Sequence, residues 1–420
     1  MRILVITNMY PPHHLGGYEL SCRDSVTRWR EHGNDVVVLT SGLRFPDVTA
    51  GEEPDVHRDL AFYWRDHEII SPGPARRFEM ERRNQRTLAN LLDTFRPDVV
   101  SAWHMGAMSL GLLTSVVERR VPLVLVVCDE WPTYAAKVDA WLRMSSRIGP
   151  LARLVTAVTG LPTRQPKLEH ATWCFVSDFI KQKTLEGAPW KPSIATVTYS
   201  GIDTKDFPTT ARQEHEWRSQ LLCVGRIDER KGIHVALEAV SKLSGATLTV
   251  SGRGDEAYLR RLHERANALG LTDRVRFIAT PRSELKDVYA AADAFLFPVL
   301  WDEPFGLTPV EAMACGTPVI ASVAGGSSEF LIDGANCIEV PRGDPDALAA
   351  AVRRLRADDD LRRRIVAGGY ATAEELSVDR YASALEEWHS ATADRFASGR
   401  PADRRSIRSV LAARGLVAGR

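Results

Sequence analysis

Short runs rich in valine, isoleucine and leucine recur along this chain, and stretches of helical period separate them. In the first half the runs are RILVIT (2–7), DVVVLTS (35–41), DVVSAW (98–103), PLVLVVCD (122–129) and TWCFVS (172–177), with candidate helices at 18–32, 80–95 and 105–119. A strand that is apolar at consecutive positions is buried on both faces, and helices supply the cover. The pattern therefore predicts an α/β fold built from right-handed strand–helix–strand units around a parallel sheet. After SIATVTYSG (193–201) a polar stretch at 203–218 interrupts the pattern. It then restarts with LLCVGRI (221–227), ATLTVSG (246–252), VRFIAT (275–280), AFLFPV (294–299), TPVIAS (317–322) and CIEV (337–340), and helices at 345–357, 359–375 and 377–396 follow. Two doubly wound domains are expected, with ligands bound in a cleft at the carboxyl ends of their strands.

Bulk properties narrow the class. A chain of 420 residues suits two or three domains. Its formal net charge is zero, so no general field draws it to nucleic acid or to an anionic membrane. The six cysteines form no CxxC pair and are expected to be reduced packing residues, with no metal site. The N-terminal apolar run breaks at Asn8, too early for a signal peptide, and no run approaches the roughly 18 residues of a membrane span. A cytoplasmic enzyme is expected. The segment from Arg400 to Arg420 carries six arginines against Asp403 and is expected to be a frayed basic tail.

Four segments carry the chemistry. In WDEPFGLTPVEAMACG (301–316), Thr308, Pro309 and Glu311 have the form of a capping box, with Thr308 as N-cap. Glu303 lies in the loop before that helix, where the N–H groups of Phe305, Gly306 and Leu307 point towards an anion at the helix start. Two carboxylates in one loop–helix unit suit a ligand with many hydroxyls, a sugar or a ribose. In VGRIDERKGI, Arg226 follows a strand and Lys231 precedes a helix, which gives a guanidinium fork and a point charge for a diphosphate; a surface pair answering Asp228 and Glu229 is the plainer alternative. A glycosidase would also use paired carboxylates, but such cations suit a diphosphate leaving group better than a neutral glycosidic bond. Gly16 and Gly17 sit between the first strand and a helix expected from Tyr18, where backbone N–H groups approach an oxyanion, or where a turn simply needs glycine. The spacing is not that of a dinucleotide fingerprint, and no cofactor is indicated.

His104 and Asp129 each follow a strand, at the edge where sites assemble. Trp131, Tyr134 and Trp141 either stack on an acceptor or pack under a loop. The stretch 141–167 holds Arg143, Arg147, Arg153, Arg164 and Lys167 around an apolar run. It reads as a core or lid helix broken at Gly149-Pro150, with contact to a membrane surface or a lipid-linked acceptor as the alternative.

Together these segments resemble the retaining glycosyltransferases of family four, which have the GT-B fold. The resemblance spans GGYELS, FVSDFIKQKTL, YSGID, VGRIDERKGI, LTVSGRG, LFPVLWDEPFGLTPVEAMACGTPVIAS and GGSSEFLIDG. It implies two Rossmann-like domains: 1–200 for the acceptor and 201–376 for a nucleotide-diphosphate sugar donor. Residues 377–396 would form a helix returning to the N-terminal domain, ahead of the 397–420 tail. By the same resemblance Arg226 and Lys231 hold the diphosphate, Glu311 the ribose and Glu303 a hydroxyl of the donor sugar. Phe305, Gly306, Leu307 and Thr308 position sugar and phosphate, Gly17 lets the loop close on phosphate beside Gly16, and His104 stands near the reacting sugar. Asp129, Trp131 and Tyr134 would face the acceptor. Hexosyl transfer to an acceptor hydroxyl, retaining and metal-independent, is implied. Members often carry His-x-His where this chain has Ser101 and Trp103 ahead of a displaced His104, and His-Asp where it has Cys128-Asp129. These departures touch the N-terminal chemistry and leave donor binding unaffected. A nucleotide-sugar epimerase and a non-catalytic binding subunit stay open as other readings.

Overall fold

The computed structural model describes residues 1–46, 48, 53–65, 68–209 and 216–398. The chain divides into two compact units, Tyr199–Tyr381 and the remainder, Met1–Thr198 with the chain from Ala382 onward. Most of the expected basic tail, from residue 399, lies outside the described residues, as do 210–215 of the polar stretch.

The first unit is built on a seven-stranded sheet, paired parallel throughout. In spatial order its strands are Val56–Leu60, Asp35–Ser41, Arg2–Ile6, Val99–Ala102, Leu123–Val127, Thr172–Phe175 and Ile194–Val197. Leu4 lies beside Val37 on one side and Val100 on the other. The strand order reverses between Arg2–Ile6 and Val99–Ala102, so the loops leaving these two strands diverge and open a crevice at their carboxyl ends. The second unit repeats the plan with six parallel strands: Val275–Ile278, Thr247–Ser251, Gln220–Val224, Ala294–Phe297, Val319–Ala321 and Cys337–Glu339. Here the reversal falls between Gln220–Val224 and Ala294–Phe297. Central strands such as Leu123–Val127 and Ala294–Phe297 are buried along their whole length, as continuous apolar runs require.

The last helix, Val378–Ser398, is grouped with the first unit from Ala382. Trp29 Nε1 donates to the Ala382 carbonyl (2.9 Å), Thr172 and Thr392 share a hydroxyl hydrogen bond (2.7 Å), and His389 Nε2 meets Ser101 Oγ (2.9 Å). Ser101, one of the departures noted above, therefore anchors this helix.

Several expectations are corrected. The helix expected at 105–119 forms only over Gly111–Glu118, because Ala107 takes a positive φ of 59° in the turn before it. Strand Val56–Leu60 (VHRDL) lacks an apolar run because it is an edge strand with a half-exposed face. Of the stretch 141–167, helix Ala140–Arg147 buries Trp141, Leu142 and Ser145, as a core helix does. The helix after the Gly149-Pro150 break, Leu151–Thr159, buries no residue at all. The core reading fails for that second piece.

Candidate active site

In the second unit the two loops that flank the strand-order reversal carry the charged residues. Strand Gln220–Val224 ends in Gly225 and Arg226, and a 3-10 turn, Glu229–Lys231, follows. Asp228 caps that turn by accepting from the Arg230 N–H (3.0 Å), and its carboxyl is pulled down to about 2 by hydrogen bonds from Arg230, with Arg226 adding its charge. Gly232 then starts helix Ile233–Ser241 at φ 65°. A Cβ there would sit 1.9 Å from the Pro298 carbonyl oxygen, so only glycine lets this turn lie against the loop after Ala294–Phe297. Leu300 N–H donates to the Arg230 carbonyl (2.7 Å) and ties the two loops together.

That contact brings Lys231 and Glu303 within reach. Lys231 Nζ donates to Glu303 Oε2 (2.7 Å), and Trp301 Nε1 donates to the same oxygen (2.9 Å). The ammonium also lies over the Trp301 ring, 5.5 Å from its centroid, and Arg230 covers the ring at 4.5 Å. Arg226 stays more open, its side chain 43% exposed and 3.5 Å from Asp228. Phe305 is buried against Phe330 and Tyr199.

The capping-box reading of Thr308 and Glu311 is corrected. Helix Leu307–Ala314 starts two residues earlier, capped by Gly306 at φ 99°, so Thr308 falls inside the first turn and Glu311 beyond N3. A left-handed backbone at Gly306 turns the chain directly into the helix and leaves no role for a side-chain cap. Glu311 instead accepts from the Tyr289 hydroxyl (2.8 Å) and from Arg282 Nη1 (3.4 Å). Burial pushes its carboxyl up, and Arg282 offsets part of that rise. Arg282 is held in turn by Asp206 (2.9 Å).

In the first unit the equivalent loops follow Arg2–Ile6 and Val99–Ala102, and they converge on His104. Asn8 Nδ2 meets His104 Nδ1 at 2.5 Å, and His104 Nε2 faces Asp129 Oδ2 at 3.0 Å, with the Tyr134 hydroxyl at 3.4 Å. Burial alone would lower the imidazole's pKa, but the Asp129 carboxylate and its hydrogen bond outweigh it, and the net shift is upward. Gly16 caps helix Gly17–Glu31, one residue ahead of the expected start, and its N–H donates to Glu19 Oε2 (3.0 Å). That donor therefore has a carboxylate partner. Trp131 is fully buried and Trp141 nearly so, with its Nε1 donating to the Pro162 carbonyl (2.5 Å). Neither ring has a face for an acceptor; both pack as core, the other reading given for them. Tyr134 remains at the cluster.

Sequence reasoning passed over Asn8, Glu19, Arg282, Tyr289 and Trp301. Glu19 and Trp301 stand within quoted motifs, and Asn8 directly follows the run RILVIT. Arg282 and Tyr289 belong to helix Arg282–Ala291, which no motif marks.

Two parallel-sheet α/β units, each with charged side chains on the loops that flank its switch point, define the class of GT-B glycosyltransferases. Comparison with known proteins agrees. The family model for glycosyl transferases group 1 matches residues 209–372, and that for glycosyltransferase family 4 matches residues 15–206. Glycogen synthase of Mycobacterium tuberculosis is 29% identical over 390 residues, spanning 87% of this chain and 88% of that protein. A D-inositol 3-phosphate glycosyltransferase of Streptomyces bingchenggensis is 33% identical over 239 residues, spanning 52% of this chain and 50% of that protein. In fold, the chain is similar to sucrose-phosphate synthase from Thermosynechococcus elongatus (TM-score 0.69, 20% identity, 93% of this chain and 98% of that one). It is also similar to Anabaena HepE in complex with UDP-glucose (TM-score 0.65, 21% identity, 93% and 100%). The chain belongs to the family-four, group 1 glycosyltransferases.

Proposed function

We propose that this protein moves a hexosyl group from a nucleotide-diphosphate sugar to an acceptor hydroxyl, with retention at the anomeric carbon and without a metal ion. The observation that carries the reading is the contact of Lys231 with Glu303 at 2.7 Å, on the two loops that flank the switch point of the second sheet. One group suits a phosphate oxygen and the other a sugar hydroxyl, so a ligand bearing both is addressed at one spot. The names of the relatives, a glycogen synthase and an inositol phosphate glycosyltransferase, and the UDP-glucose bound to HepE support a nucleotide-sugar donor.

In this reading Arg226 and Lys231 stabilise the charge that grows on the departing diphosphate, and the helix starting at Leu307 adds its N-terminal field. Glu303 orients the sugar, and Glu311 accepts the ribose hydroxyls. The acceptor hydroxyl attacks the face that the diphosphate leaves, and a diphosphate oxygen takes its proton. His104, with its proton state set by Asp129, and Tyr134 would contact the acceptor.

Thermal-shift screening against UDP-, GDP-, ADP- and dTDP-sugars identifies the donor, because a bound ligand raises Tm by mass action. With that donor, Lys231→Ala and Arg226→Ala are each expected to cost about 2–4 kcal/mol in kcat/KM for nucleotide release. EDTA is expected to leave turnover intact, and the product's anomeric configuration to match the donor's by NMR. Wild-type turnover in either variant, or loss of activity with chelator, overturns this reading.

A further inference from the structure

Helix Leu151–Thr159 is moored on one side only. Its Thr156 Oγ1 hydrogen-bonds Thr163 Oγ1 (2.7 Å), and Thr163 Oγ1 donates to the Ala152 carbonyl (3.0 Å). Thr163 is buried, and its carbonyl accepts from Ser145 Oγ (3.0 Å) on the preceding helix. The helix is thus held in a fixed orientation by its polar side. The other side shows Leu151, Leu154 and Val158 at 61, 59 and 77% exposure, with Ile148 just ahead at 38%. Within the helix, spacings of three and four put Leu151, Leu154 and Val158 on one stripe. Scattered single apolar residues on a surface mean little, but three in line on a helix with no buried residue, with Ile148 exposed just ahead of it, form a patch that asks for a partner.

The charges around the stripe say which partner. Arg143, Arg147, Arg153, Arg164 and Lys167 are all exposed, and none is in an ion pair among the described residues. Between Ala140 and Leu168 there is no aspartate or glutamate. A second copy of this chain, docked on the same patch about a two-fold axis, would set these cations against their equivalents. An anionic lipid surface accepts both features: the apolar stripe enters the boundary of headgroup and acyl chain, and the cations meet lipid phosphates.

We propose that Leu151–Thr159 and its flanking cations are a docking face that seats this protein on an anionic membrane surface. Among the described residues no helix is long and apolar enough to cross a membrane, so the contact is peripheral.

The test is co-sedimentation of the full chain with vesicles of phosphatidylcholine alone and of phosphatidylcholine with phosphatidylglycerol. Wild type is expected to be retained at least about tenfold better on the anionic vesicles, and to be released by salt. The triple variant Leu151→Ser, Leu154→Ser, Val158→Ser is expected to lose that retention at unchanged Tm, since no buried contact is removed. Arg147→Glu with Arg153→Glu is expected to lose the preference for the anionic lipid. Equal retention on both vesicle types, no retention on either, or wild-type retention of the triple variant overturns the proposal. So does sedimentation velocity that shows the triple variant dissociating a dimer, which would assign the stripe to a second copy. None of these readouts involves sugar transfer, so they stand apart from the donor reading.

Discussion

At the scale of single residues, the two candidate carboxylates of the second unit, Glu303 and Glu311, are held by neighbouring side chains. Glu311 is buried and would carry a costly unpaired charge without Tyr289 and Arg282. Tyr289→Phe removes the 2.8 Å donor and leaves a carboxylate oxygen unsatisfied in the interior. The expected cost is about 1–3 kcal/mol of stability, measured by chemical denaturation, with nucleotide affinity weakened in calorimetry. Unchanged stability and affinity in that variant would mean that Arg282 alone sets the position of Glu311. Trp301 does similar service for Glu303, since its indole N–H and the Lys231 ammonium share one carboxylate oxygen.

At the scale of elements, helix Pro74–Thr94 is fastened to the first unit by a buried acid. Glu81 accepts from the Tyr63 hydroxyl (2.7 Å) and from Ser109 Oγ (2.7 Å). Burial, reinforced by the charge of Asp139, lifts its pKa from 4.5 to about 8. In the unfolded chain the group ionises near 4.5, whereas in the folded chain it holds its proton until about 8. The folded state therefore binds the extra proton, and its advantage is complete below pH 4.5 and fades as pH rises to about 8. Glu81→Gln keeps the shape without the titration. It is expected to flatten the fall of Tm with rising pH across that window, and a slope equal to wild type would show that Glu81 is already ionised in the fold.

At the scale of the whole molecule, the last helix completes the first unit rather than merely ending the chain. His389 is fully buried, edge-on to Trp29 at 4.8 Å. Trp103 Nε1 donates to Ser101 Oγ (3.1 Å), which leaves the serine hydroxyl proton for His389 Nε2. Burial lowers the imidazole's pKa from 6.5 to about 3, so the fold requires the neutral ring. The sign is opposite to that of Glu81. Stability from His389 is complete above pH 6.5 and is lost as pH falls through about 3, because the unfolded ring takes a proton that the folded one refuses. His389→Gln is expected to remove roughly 5 kcal/mol of this acid sensitivity, read from denaturation midpoints across that window. An acid limb identical to wild type would mean that the ring is hydrated or already charged in the fold.

Much of the fold was legible in the chain because buried parallel strands must be apolar on both faces, and runs such as PLVLVV and AFLFPV have no other good use. The same logic drew attention to Arg226 and His104, which follow such runs closely, and to Lys231, Glu303 and Glu311 on the turn, loop and helix that come next. What periodicity does not encode is long-range pairing. That Tyr289 serves Glu311, that Asn8 and Asp129 bracket His104, and that Ser101 secures a helix 288 residues away are facts of three dimensions. Local backbone decided the rest: a left-handed Gly306 displaced the cap that Thr308 would otherwise form. Sequence by itself determined where strands and chemistry lie along the chain, because hydrophobic burial acts through local pattern. Only tertiary structure decided which apolar face is covered, leaving Leu151, Leu154 and Val158 in the open, because cover comes from residues remote in sequence.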